Sequence, residues 1–154
     1  MLRLLVMLLI ASPALAQEWN VMEDEDYGYS VPIPSGYDLS LRPEAGNSRL
    51  YHNADGDILA VWAGDLDDQD FTETVRARRR QDEDAGWNVT YERNTANWAS
   101  YSGIRGDQIR YVRAIQYCGD RTAFFLIDYD RAEKATYDPI VTHMVRQMKP
   151  TLAC

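Results

Sequence analysis

The chain has 154 residues, 45% of them hydrophobic and 26% charged, proportions that suit one globular domain and exclude a disordered or fibrous chain. Its 16 basic residues face 24 acidic ones, for a net charge of −8. A chain of that sign repels polyanions, which removes nucleic acid and anionic membrane surfaces from the expected partners.

The N-terminus opens with Met1-Leu2-Arg3, runs apolar through residues 4–11 and reaches Ala14-Leu15-Ala16. A short positive start, an apolar stretch and a small-x-small motif make a secretory leader, so residues 1–16 are expected to be cleaved before Gln17. The leader takes Arg3 with it and leaves the mature chain one charge more acidic. Residues 4–16 contain Pro13 and fall short of the ~20 residues that span a bilayer. No later segment is apolar enough, so stable membrane insertion is not expected, and the destination is periplasmic or secreted. An oxidising compartment favours pairing the two cysteines present, and a disulfide between Cys118 and Cys154 is expected. With no CxxC spacing and no adjacent His, a redox pair or thiolate metal site is the weaker reading.

Residues 17–26 read as an N-terminal arm, with the acids Glu23, Asp24, Glu25 and Asp26 solvated; residues 27–154 read as one α+β domain. Tyr27, Tyr29, Val31 and Ile33 alternate as in a half-buried strand, and Pro32 and Pro34 confine it to an edge or end it. Residues 48–52 and 58–63 form a hairpin pair around Asp55-Gly56, the second strand apolar on both faces and therefore central. A helix is expected over residues 71–84, capped by Asp70 and closed by Gly86. Its apolar stripe is thin, Phe71 and Val75, and Arg78, Arg79 and Arg80 stand three or four positions from Asp82, Glu83 and Asp84. That spacing predicts a solvated, self-neutralised face rather than an anion site.

Strands follow at Trp87, Val89 and Tyr91, at residues 98–102, and at residues 107–118. In the last of these Ile109, Tyr111, Ile115 and Tyr117 face one way and Val112, Ala114 and Cys118 the other. Gly119-Asp120 turns the chain into residues 121–129, whose run Ala123-Phe124-Phe125-Leu126-Ile127 marks the middle of the sheet. The final helix is expected to start with Asp138 as cap and Pro139 at its first position. It buries Ile140, Val141, Met144, Val145 and Met148, leaves His143 and Arg146 on the wet side, and stops at Pro150.

The segment Tyr29-Ser30-Val31-Pro32-Ile33-Pro34-Ser35-Gly36-Tyr37, together with residues 98–103 and the Asp138-Pro139 helix start, resembles the PsbP-like fold superfamily over most of residues 27–149. The resemblance implies an antiparallel sheet of about six strands with helices packed on it, an α/β/α sandwich, in an exported, non-enzymatic accessory module that engages protein complexes. A cystatin-like α+β sheet is the structural alternative.

No catalytic motif is legible. Phosphate loops, GxSxG and HExxH are absent, and His52 and His143 have no sequence-local Ser, Cys or His partner. Asn88-Val89-Thr90 matches a glycosylation acceptor but falls inside an expected strand. The acidic run Asp65, Asp67, Asp68 and Asp70 could offer several oxygens to calcium, yet a calcium-hand loop would need Gly where Asp70 stands and an acid where Arg76 stands. Acids before a helix suit its macrodipole as well, so no metal and no cofactor are expected. The expected function is an exported binding or assembly module with a protein partner. A small hydrolase converging around His52, or a calcium-binding accessory protein, is the alternative.

Overall fold

The apolar run at Ala123–Ile127 organises the fold of the computed structural model, which describes residues 18–42 and 47–154. The leader expected over residues 1–16 lies outside the described residues. Strands β1 (Trp19–Asp24), β2 (Tyr29–Pro34), β3 (Asp38–Leu41), β4 (Arg49–His52) and β5 (Ile58–Asp65) precede helix α1 (Phe71–Asp84). Then come β6 (Asn88–Asn94), β7 (Trp98–Arg105), β8 (Gln108–Tyr117), β9 (Arg121–Asp130), a 3-10 turn at Arg131–Glu133, α2 (Lys134–Gln147) and β10 (Lys149–Pro150).

Seven strands form one antiparallel sheet in the order β3-β4-β5-β9-β8-β7-β6, so β9 lies at its centre, buried along its length except at its two ends. Side chains alternate between the two faces. Phe125, Ile127 and Tyr129 join Leu59, Val61, Ile109, Ile115 and Tyr117 on one face. Phe124 and Leu126 join Val112, Ala114, Ala99 and Tyr101 on the other. The first face is covered by α2 and by a second sheet of order β1-β2-β10; the other is covered by α1, through Phe71 and Val75. The architecture is α+β, with seven strands in the main sheet rather than about six.

Several expectations need correction. The segment expected as a loose arm forms β1, pairing with β2 from Trp19↔Pro34 to Asp24↔Tyr29. Asp24 is not solvated: it is buried and accepts from Arg49 Nη1 at 3.0 Å. Strand alternation, inward at Met22, turns Asp24 inward as well within the run of four acids. Strand β2 is the middle strand of the small sheet, not an edge. Its prolines are tolerated because the Ser35 amide donates to the Glu18 carbonyl, so odd-numbered residues point their amides at β1 and even-numbered ones away. On that far side β10 pairs only Tyr29 and Ser30, leaving Pro32 and Pro34 opposite no strand.

Helix α2 starts at Lys134 rather than Asp138. Asp130 accepts from the Ala132 amide at 2.7 Å, capping a 3-10 turn that feeds the helix. Tyr137 extends the buried stripe of Ile140, Val141 and Met144 one turn earlier. Pro139 therefore lies inside the helix and deprives only the Ala135 carbonyl of a helical donor. Strand β3 escaped notice because it is only four residues long; its Asp38-Leu39-Ser40-Leu41 alternation marks no buried face, with Leu39 and Leu41 50% and 56% exposed at the sheet edge.

Helix α1 is also less solvated than its charge spacing implies. Asp82 is 2% exposed; Arg78 Nη2 and the Tyr101 hydroxyl each donate to it at 2.6 Å. Arg110, from β8, bridges Asp82 to Asp128 of β9, with Nε and Nη2 2.8 and 2.7 Å from the Asp128 carboxylate. Arg76 and Arg80 do pair with Glu73, and Arg79 with Glu83 and Glu92, as surface contacts.

The core is unusually phenolic, and that sets its alkaline limit. Burial pushes the Tyr117 and Tyr129 hydroxyls up to about 12, and those of Tyr29, Tyr37, Tyr101 and Tyr137 further. Between the ordinary value of about 10 and these raised ones the unfolded chain releases protons that the folded chain holds. Stability should therefore be undiminished below pH 10 and fall steeply as pH rises towards 12. Phenolate absorbance followed alongside circular dichroism should show these tyrosines ionising together with unfolding; ionisation of every tyrosine near 10 in a still-folded protein would contradict it.

Candidate functional site

The acidic run does not assemble a metal centre. Asp65 ends β5 opposite Arg121, and Asp67 takes a left-handed turn conformation at φ +49°, which an Asp side chain tolerates. Asp68 is exposed, and Asp70 spends a carboxylate oxygen as the α1 cap, accepting from the Glu73 amide at 2.7 Å. Among the described residues no group of three or more His, Cys, Asp or Glu side chains is placed to hold a metal ion.

The structure joins Cys118, at the end of β8, to Cys154, with Cα atoms 5.3 Å apart. The same tail is tied down twice more: Thr151 donates its amide to the Gly28 carbonyl at 2.8 Å, and Leu152 packs where a Cβ on Gly28 would stand, 2.0 Å away. Gly28, at φ +68°, can be no other residue without displacing that contact.

His52 Nδ1 lies 2.7 Å from Ser40 Oγ across the β3–β4 edge. Ser40 also donates to the Leu50 carbonyl at 3.0 Å, and no carboxylate bonds the imidazole among the described residues. The pair sits on an exposed edge strand, outside the cavities described below. His143 is half-buried rather than wet, because β1 brings Trp19 against it in a stack with ring centres 4.0 Å apart.

The main concavity lies elsewhere, between α2 and the β6–β7–β8 end of the large sheet, where the helix does not reach. It encloses about 790 Å³, within the range of ligand and peptide clefts. Ile104, Ile109, Tyr111 and Tyr129 form its floor, Val141 and Val145 its helical wall, and Arg131, Lys134 and Arg146 its rim. Small side chains keep the floor low: on β7 the inward series Trp98, Ser100, Ser102, Ile104 carries two hydroxyls. Gly103 is demanded by the β6–β7 bulge, where a Cβ would come within 3.0 Å of the Asn88 carbonyl oxygen.

Helix α2 is held in place from its first turns. Tyr137 donates its proton to Asp57 and accepts from Asn53 Nδ2 at 3.2 Å and from the Tyr37 hydroxyl at 2.8 Å. One ring of this network, Tyr137, also stacks on Tyr129 of the groove floor, centres 4.2 Å apart.

The electrostatics are lopsided. Lys134 pairs with Asp138 at 2.7 Å, but among the described residues no ion pair engages Arg131, Arg146, Arg113 or Arg93. Arg113 continues the floor beyond Tyr111. It donates to Ser100 Oγ at 3.1 Å and lies 4.3 Å from the Trp98 ring centre, with Arg93 5.4 Å from the same ring. Its Nε is buried without a hydrogen-bond partner, and burial lowers its pKa from the ordinary guanidinium value. An apolar floor flanked by uncommitted guanidinium groups can recognise an anionic, partly apolar ligand. Sequence reading noted Arg146 but passed over Arg113, although a charged residue between Tyr111 and Ile115 in an inward-facing series is a legible anomaly.

No protein-family profile and no curated protein matches the sequence. Solved structures do match in shape. The Saccharomyces cerevisiae Ran-binding protein Mog1p aligns with a TM-score of 0.66 at 12% identity, over 88% of this chain and 97% of that one. Cyanobacterial PsbP (CyanoP) from Synechocystis sp. PCC 6803 aligns with a TM-score of 0.63 at 11% identity, over 91% and 96%. The chain therefore has the PsbP-like fold that it shares with Mog1p; at such identities the likeness concerns the fold alone. Among the described residues no helix is long and apolar enough to cross a membrane.

Proposed function

We propose that the protein is an exported binding or assembly module that engages a protein partner, in the periplasm or outside the cell, through the groove between α2 and β6–β8. The observation that carries this reading is the groove itself: a preformed apolar trough with a polar rim and no nucleophile–base pair in its lining. The yeast neighbour is named a Ran-binding protein, which gives a precedent for protein recognition on this scaffold. A leader at residues 1–16 and a Cys118–Cys154 bond fit export to an oxidising compartment.

A photo-crosslinking residue at Thr142, on the groove wall, should capture a discrete partner in the producing cell, whereas the same residue at Arg76 on α1 should not. The protein recovered from the adduct should begin at Gln17. Indistinguishable patterns from the two positions, or none from Thr142, would reject the groove as the interface.

A further inference from the structure

We infer that the segment received by this groove is acidic and extended, with carboxylates taken by Arg113, Arg131 and Arg146 and an apolar side chain laid on the Ile104–Ile109 floor. The inference rests on the groove being the interface and adds the chemistry of what enters it.

The argument begins from charge placement. In a chain of net charge −8, acids outnumber bases, and several basic residues of the other faces are spent on carboxylates: Arg49 on Asp24, Arg76 and Arg80 on Glu73, Arg78 on Asp82, Arg79 on Glu92, and Arg110 on two carboxylates. Around the groove the balance reverses. Arg131, Lys134 and Arg146 line it, Arg93 and Arg113 lie beyond its floor against Trp98, and Asp138, the one acid among the described lining residues, is committed to Lys134.

Two of these cations, Arg93 and Arg113, lie against one indole with no carboxylate between them, and the Arg113 Nε has lost water without gaining an acceptor. A buried donor left in that state costs free energy that an incoming carboxylate would recover. Shape adds the second constraint. Strand β6, which bounds the groove through Thr90, has β7 as its only strand neighbour among the described residues, and every residue of it except Val89 is exposed. A segment in extended conformation can lie along this side with alternate side chains directed to the floor. A long polyanion is disfavoured, because beyond the ~8 Å over which charge is felt at physiological ionic strength it would meet the acidic remainder of the molecule.

The test is titration of the purified protein with short capped peptides alternating Glu with Leu, Gln with Leu and Lys with Leu, followed by calorimetry. The Glu peptide should bind, more weakly as salt is raised, and the other two should not. Arg131→Gln and Arg146→Gln, both at exposed rim positions, should each weaken binding about tenfold, as should Arg113→Gln if its melting temperature shows it folded; Arg76→Gln should have no effect. Equal binding of the Gln peptide, absence of binding to the Glu peptide, or insensitivity to both rim variants would overturn the inference. Saturable binding of inorganic phosphate that displaces the Glu peptide would also overturn it, in favour of a small-anion pocket. If crosslinking from Thr142 succeeds while the Glu peptide fails, the groove stands as the interface and only its proposed chemistry falls.

Discussion

Arg110→Ala should destabilise the protein by about 3–5 kcal/mol, the range found when one partner of a buried ion pair is removed. The side chain is one of the polar contacts that hold α1 to the sheet through Asp82. That helix brings only Phe71 and Val75 to the apolar interface, and its third buried position is the carboxylate Asp82. Arg110 neutralises both Asp82 and Asp128, whose side chains are 2% and 6% exposed. Its loss leaves two carboxylates, Asp82 on α1 and Asp128 on β9, without the cation that bridged them, with Arg78 and Tyr101 still engaged on Asp82 alone. The Trp87 indole, on which Arg110 lies at 4.3 Å and Arg105 at 4.5 Å, would lose one of its two guanidinium covers as well. Denaturant unfolding should show the shift in midpoint. The double variant Arg110→Met with Asp82→Leu should lose less than the sum of its single variants, since the carboxylate stranded by one change is removed by the other. A loss below about 1 kcal/mol for Arg110→Ala would mean that the network is a surface ion pair in all but position.

Opening the Cys118–Cys154 bond, by reduction or by Cys154→Ser, should cost about 4 kcal/mol on the loop-entropy scale for the separation of 36 residues. For a domain of this size that is a melting shift of about 10 °C. The bond also acts locally. The tail it holds supplies the Thr151 amide to Gly28 and the Leu152 side chain that sits on it, so hydrogen exchange should accelerate at Thr151 and at Lys149 of β10 before it does so in β9. Because reduction and substitution remove the same constraint, the reduced protein and the Cys118→Ser, Cys154→Ser double variant should melt together. Coincidence of either with the oxidised protein would show that the remaining tail contacts suffice.

How much of this was legible in the sequence follows from which physical signals are local. The alternation in β8 as far as Tyr117, the apolar run of β9 and the Asp55-Gly56 turn are short-range patterns, and the structure places them as read; Cys118, read as continuing the Val112 and Ala114 face, lies just past the strand at φ +52° and packs against the opposite face. The failures share one cause: they turn on what a distant segment supplies. Asp24 reads as solvated until Arg49 is brought beside it, and Asp82 reads as one more surface acid until Arg110 arrives from β8. The prolines of β2 argued for an edge because nothing local shows that β10 pairs only the other end of the strand. Of the candidate site, the run Asp65, Asp67, Asp68 and Asp70 was conspicuous because it is contiguous, whereas the groove is built from β6, β7, β8, β9 and α2. Arg146 reads only as a wet-side residue of its helix, and the out-of-pattern Arg113 beyond the floor is passed over.

The wall of that groove is fixed at both of its ends. At the first, Tyr137 is bonded to Asp57, Asn53 and Tyr37; at the second, the chain passes directly from α2 into β10, which is paired to β2 and followed by the bonded tail. Neither end is a loop that must be ordered when something enters. Association at the proposed interface would therefore avoid most of the conformational entropy that a mobile rim would surrender, and the trough would meet an occupant as a rigid template. On such a surface discrimination comes from fit and charge at fixed positions, and a segment of the wrong spacing cannot be accommodated by letting the wall move.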